Sequence, residues 1–259
     1  NALNLASQSG EDDRIILADG QYATLDQPFT YIGIYNNDLE ITSKSVNEKP
    51  ILDGTNKTAV LLISNAAYPE STPPNVKLDN LIIKNGSHNG VGPEPISSGV
   101  TFFRVNANIS ETEIRDNLGT INAASSAVYF KDENKSSSLI ISSSIIDNNS
   151  TVSTTGSTII SILLAKEVTI KKQSIIKNNK GHHGILTIHG SPLNIKEGTV
   201  FDKNSTNNYA VVRPKSDETI TINSSQFIEN QNLGTVGSGV LNSGNYLIEN
   251  ALFYGNTAT

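Results

Sequence analysis

Asp116 and Asp147 stand out first among the side chains able to do chemistry. They share the setting Ile-x-Asp-Asn, 31 residues apart. Two carboxylates at one repeat position would form a calcium site, or an acid and a base acting on a sugar. A solvated stripe is the plainer reading, because the same column continues with Lys177, Lys203, Glu229 and Gly255. Arg104 and Asp132 form a second pair, each four residues after a valine. An arginine beside an acid can neutralise a uronate and take its proton, but such pairs are more often weak surface ion pairs. His189 and Lys215 continue that column. The four histidines are His88, His182, His183 and His189. A metal needs two or more converging rings. On an extended chain His182 and His183 would point to opposite faces and could not both join His189.

The elements that would hold these residues follow from a repeat. An apolar residue, two variable residues and an asparagine recur seven times. The asparagines are Asn85, Asn117, Asn148, Asn178, Asn204, Asn230 and Asn256, at steps of 32, 31, 30, 26, 26 and 26. A second pattern interleaves, a small residue before a β-branched one, as in Ala59-Val60, Gly99-Val100, Ala127-Val128 and Ala210-Val211. A third segment alternates with period two, as in Val168 and Ile170 before Ile175. Each unit therefore holds about three short strands and leaves no room for a long helix. So small a unit cannot bury its own apolar face, and units must stack.

The fold expected is all-β, a right-handed parallel β-helix of about eight coils with a short N-terminal cap. Stacked strands at about 4.8 Å would make a rod on the order of 40 Å long. Residues 1–38 read as cap and first coil, and 39–259 as the repeats. The recurrent asparagines are expected to form a ladder, because asparagine tolerates left-handed turns and its amides can bond up a column. The Phe or Ile that opens each motif is expected to stack inside. The start reads as natural, and the end at Thr259 as a cut through a longer helix.

Composition narrows the class further. With no cysteine there is neither a disulfide frame nor a thiolate metal site. A net charge of −6 gives no basis for binding nucleic acid. No apolar run approaches the 18 or so residues of a membrane span, so this segment is not expected to insert. The opening 20 residues lack a charged start followed by an apolar run.

Paired Phe-x-x-Asn and Gly-Gly-Ala-Ile-type motifs, one of each per unit, resemble the repeats of chlamydial polymorphic outer-membrane proteins. The resemblance covers roughly residues 55–259. Phe201-Asp202-Lys203-Asn204, Phe227-Ile228-Glu229-Asn230 and Phe253-Tyr254-Gly255-Asn256 carry it best. The Gly-Gly-Ala part is degenerate, as in Ser98-Gly99-Val100. The resemblance implies a cell-surface or secreted passenger segment, often adhesive.

Binding residues are sought on the outward face and loops. Five of the nine prolines fall in residues 65–98, so those stretches should project. His88, Glu94, Arg104, Tyr129, Asp132 and His189 are the candidates. No catalytic residue, metal ligand or cofactor is assigned. In the strand opened by the small residue both parities look apolar: Val60, Val128, Ile159 and Val211 on one, Leu61, Tyr129, Ile160 and Val212 on the other. One parity should then form an outward apolar stripe needing cover. The leading function is a non-enzymatic adhesin, spacer or assembly scaffold. Its partner would be a host or neighbouring surface protein, a glycan or a second copy. The alternative is a polysaccharide lyase or hydrolase of the pectin-lyase-like type, or a carbohydrate-binding rod.

Overall fold

The computed structural model describes residues 2–65, 72–88, 96–120, 123–152, 157–215, 217–234 and 239–259. It is a parallel β-solenoid of about eight turns. One coil shows the plan. Glu167–Lys171 belongs to the first sheet, Ile175–Lys177 to the second, Lys180–Gly181 to the third and Leu186–His189 to the fourth. Among the described residues the first and second sheets have nine strands each, and the third and fourth have seven. Every strand pairs in parallel with its equivalent one coil away, as Val168 does with Leu139 and Leu193. The third sheet was not legible in the sequence, since two-residue strands show no alternation. Among the described residues the middle coils thus make four strands rather than three.

The core is a set of side-chain columns. Ile83, Ile114, Ile146, Ile176, Phe201 and Phe227 run in register through the second sheet, each nearly or fully buried. Phe201, Phe227 and Phe253 stack with ring centres 4.9 and 5.0 Å apart and planes within 11°. The 26-residue repeat places identical rings one strand spacing apart, which permits this offset stacking.

At one end a five-residue helix, Ala2–Ala6, buries Leu3 and Ala6 against the first coil. An apolar cavity of about 250 Å³ remains there, walled by Leu3, Ile15, Phe29 and Leu52 among others. Among the described residues no helix is long and apolar enough to cross a membrane.

Among the described residues the expected outward apolar stripe is absent. Leu61, Val100, Val128, Ile160, Leu186 and Val212 form one inward column. Val60, Ile159, Ile185 and Val211 are also fully buried, at the corner where the chain enters the fourth sheet. A bend lets two adjacent side chains face inward, which strict alternation forbids. The register also shifts between Ser125 and Val128. The column of opposite parity is largely hydroxylic, Thr30, Leu62, Thr101, Tyr129, Ser161, Thr187 and Arg213, and from Thr101 to Thr187 it is itself covered.

Candidate functional site

The asparagine ladder is real, but three of its expected members stand one residue out of frame. The buried column is Asn117, Asn149, Asn179, Asn204, Asn230 and Asn256. Their side-chain amides bond in sequence at 2.9, 3.0, 3.0, 2.9 and 3.0 Å. Each Oδ1 also accepts the backbone N–H of the asparagine one coil before, as Asn179 does from Asn149 at 2.9 Å. Each Nδ2 also reaches a core carbonyl in the preceding coil, as Asn179 does to Ile146 at 2.9 Å. Three bonds per coil leave the corner with its polar groups paired.

Asn85, Asn148 and Asn178 are not rungs. They sit in the left-handed region, at φ 53°, 51° and 53°, where the chain turns before the ladder. Asp116, Lys203, Glu229 and Gly255 share that position. The Asn-Asn doublets at 148–149 and 178–179 hid the frame. In the Asn85 coil, Gly86 takes the ladder place, and its N–H donates to Asn117 Oδ1 at 2.8 Å. A Cβ there would meet Ser98 O at 1.9 Å, so only glycine fits.

A second buried column escaped the sequence reading. Thr112, Ser144, Ser174, Thr199 and Ser225 line the corner between the first two sheets, all nearly or fully buried. The N–H of Leu81 donates to Thr112 Oγ1 at 3.4 Å, Thr112 to Ser144 Oγ at 3.2 Å, and Ser144 to Ser174 Oγ at 3.4 Å. The signal was available, since each hydroxyl lies five residues before its ladder asparagine.

The carboxylates proposed for chemistry are spent on structure. Asp147 is in register with Arg115, not with Asp116. Asn148 Nδ2 donates to Asp116 at 2.7 Å, and Asn178 Nδ2 to Asp147 at 2.9 Å. Asp132 is 1% exposed, not outward. Its carboxylate turns back into its own loop, accepting the N–H groups of Asn134, Ser136 and Ser137 at 3.1, 2.8 and 2.7 Å. The Ser136 and Ser137 hydroxyls donate to it as well. Burial opposes its charge, but the bonds from Ser137, Asn134 and Ser136 prevail and hold its pKa below the usual carboxylate range.

The other candidates do not converge. Arg104 takes a left-handed turn (φ 55°) beside the Asp132 coil, its N–H on Lys131 O. Tyr129 lies on the hydroxylic column and is only 2% exposed, edge-on to Phe103 at 5.8 Å. His189 is exposed and pairs with Leu163, one position off the Arg104–Asp132 column. His88 is on the third sheet beside Gly119, half-buried, and burial lowers its pKa. Glu94, with Pro69, Pro93 and Pro95, lies outside the described residues.

A different group does converge, where the fourth sheet reaches its later coils. Arg213 holds its guanidinium carbon 3.5 Å from the centre of the Tyr209 ring. His183 meets the same ring edge-on at 5.4 Å. His182 lies beside His183, ring centres 4.8 Å apart, because this stretch turns rather than extends. Asn208 reaches the His182 ring at 3.4 Å. Thr187 is the register partner of Arg213. Lys215, two residues after Arg213, emerges on the same outward face. Desolvation lowers the pKa of His183, and the charges of His182, Arg213 and Lys215 lower it further. Lys215 is lowered by desolvation and then by Arg213. Desolvation lowers Arg213 too, with only Tyr209 opposing. Among the described residues no ion pair forms on Arg213 or Lys215, and Glu218 turns instead to Lys135 at 3.5 Å. No metal-ligand cluster of three or more side chains occurs among the described residues.

No family model matches this sequence, and no curated protein does. Two solved structures are similar in fold. Pectin methylesterase from Aspergillus niger aligns over 90% of this chain and 80% of its own, at 13% identity and a TM-score of 0.29. Tailspike protein 2 of Escherichia coli O157:H7 bacteriophage CAB120 aligns over 95% of this chain and 38% of its own. Its identity is 11% and its TM-score 0.24. Both similarities concern the β-solenoid fold alone.

Proposed function

We propose that this chain is a non-catalytic segment of a secreted or cell-surface protein, a rigid β-helix that binds a partner through the outward face of its fourth sheet. One observation carries the reading. The carboxylates suited to acid–base work, Asp116, Asp132 and Asp147, are engaged in hydrogen bonds within their own turns or between coils. The cationic and aromatic groups around Arg213 are not engaged in that way. The resemblance of the repeats to chlamydial polymorphic outer-membrane proteins supports a surface role. The partner is a glycan, a neighbouring surface protein or a second copy. A panel of acidic and neutral polysaccharides tests the proposal, read both for binding and for new reducing ends or unsaturated uronates. Saturable binding without turnover supports it. Turnover that disappears on changing Arg213 or Lys215 would replace it with a lyase or hydrolase on the same rod.

A further inference from the structure

The later coils of the fourth sheet carry a concentration of positive charge in a protein whose net charge is −6. Arg213 and Lys215 are two of only 19 basic residues, yet they share one face with His182 and His183 beside them. Such packing is unfavourable unless something of opposite sign completes it. Within the described chain no carboxylate does so.

Three features make this more than a chance cluster. The guanidinium is oriented, because one of its faces lies on Tyr209 at 3.5 Å. Arg213 Nη1 is buried without a hydrogen-bond partner. Thr187, only 6% exposed, carries a hydroxyl that is likewise buried and unpaired. The two lie on neighbouring strands beside Gly184, at φ +126°, where a Cβ would also press on Ala210 O at 3.1 Å. A Cβ there would stand 3.4 Å from Thr187 Oγ1 and 3.6 Å from Arg213 Cβ. An unmet N–H and an unmet hydroxyl on paired strands are costly, and they are two of seven such buried side-chain atoms among the described residues.

We infer that Thr187, Arg213 and Lys215, with His183 at the edge, form an oxyanion-binding site for a sulfate-type group. Arg213 supplies a fork of N–H donors, Thr187 an O–H and Lys215 a mobile positive charge. A tetrahedral oxyanion has enough acceptors for all three. Tyr209 is a positioning residue, fixing the guanidinium without touching the anion. The inference rests on the binding-scaffold reading and names the chemistry of its contact face. The group comes either as a free ion or as a sulfate ester on a glycan.

The test is calorimetric titration of the whole chain at constant ionic strength, first with inorganic sulfate and then with a heparin-derived hexasaccharide. Saturable one-to-one binding is expected in at least one arm. Sulfate alone identifies a free-ion site. A hexasaccharide that binds at least tenfold tighter and is displaced by sulfate identifies a sulfate-ester site. Arg213→Gln should weaken binding at least tenfold, and Lys215→Gln several-fold. Lys215 is exposed, so its variant separates charge from folding. Lys196→Gln, at a half-exposed lysine beside Glu197, should change nothing. No saturable binding in either arm, or equal affinity in all three variants, overturns the site. If the site fails while a polysaccharide still binds without turnover, the inference falls and the scaffold reading stands. Turnover of a polysaccharide would remove the scaffold reading instead.

Discussion

The ladder corner and the Arg213 cluster place polar groups out of water by opposite rules. At the corner each asparagine repeats its neighbour, and every amide finds partners one coil up and one coil down. At the cluster the repeat breaks: the hydroxyls of Ser161 and Thr187 give way to Arg213. There a donor and a hydroxyl are buried unpaired. The corner resembles the interior of a designed repeat, in which satisfied polar groups fix register. The cluster departs from local consistency, and such departures mark sites shaped for something other than folding. Repetition with pairing marks the corner as structure, while the oriented guanidinium beside unpaired atoms and a second cation marks the cluster as the candidate contact.

Substitutions can break or sharpen that contrast. The largest effect belongs to the core beside the ladder. Phe227→Ala removes a ring stacked between Phe201 and Phe253 and should cost about 3–5 kcal/mol in denaturant unfolding. Next comes the ladder itself. Asn179→Ala takes away the acceptor of the Asn149 N–H, one of the acceptors of the Asn149 amide and the side-chain donor to the carbonyl of Ile146, at about 1–3 kcal/mol. Asn178→Gly, one residue earlier, should lie within about 0.5 kcal/mol of wild type. Its φ of 53° suits glycine and its side chain is exposed. Equal losses for these two variants would put the frame of the ladder in error.

Asp132 gives the third test. Its pKa is depressed in the fold, so its charge contributes stability that is complete above the unfolded carboxyl pKa near ~3.9. That contribution is lost as pH falls through the lower folded value. Asp132→Asn should therefore cost about 1.5–3 kcal/mol at neutral pH, and the gap from wild type should close in that acid range. A gap that stayed constant with pH would mean that the carboxylate charge contributes nothing. The smallest effect is expected at Arg213. Arg213→Gln gives up its contact with Tyr209 and also relieves Lys215 and His183 of a like charge, leaving stability within about 0.5 kcal/mol.

The solenoid was legible because each coil repeats a core residue and an asparagine at nearly constant separation. Phe201, Phe227 and Phe253 set the frame without ambiguity. Where the doublets Asn148-Asn149 and Asn178-Asn179 offered two frames, only the register of Ile146 and Ile176 decides between them. The apolar stripe was misread for a related reason. Alternation assumes a straight strand, and the chain bends at Val60, Ile185 and Val211. The extra residue near Ser125 then displaced His189 and Lys215 from the column assigned to Arg104 and Asp132. Asp132 looked like an outward acid because nothing in its spacing reveals that Ser136 and Ser137 curl back to it. The Arg213 site was not legible. It joins His183, Thr187, Tyr209 and Lys215 from two coils, and Tyr209 enters from a turn before the strand.

The central claim, that paired columns fold the chain and the unpaired cluster binds, is tested most directly by melting three proteins with and without sulfate. These are wild type, Asn179→Ala and Arg213→Gln. A ligand that binds only the folded state raises the melting temperature, and a general salt effect would raise all three alike. The account predicts that Asn179→Ala melts well below wild type but keeps the full sulfate-dependent rise. Arg213→Gln should melt close to wild type without sulfate and lose the part of the rise that is specific. An Arg213→Gln protein that melted as low as Asn179→Ala in the absence of sulfate, or that kept the whole rise, would contradict it.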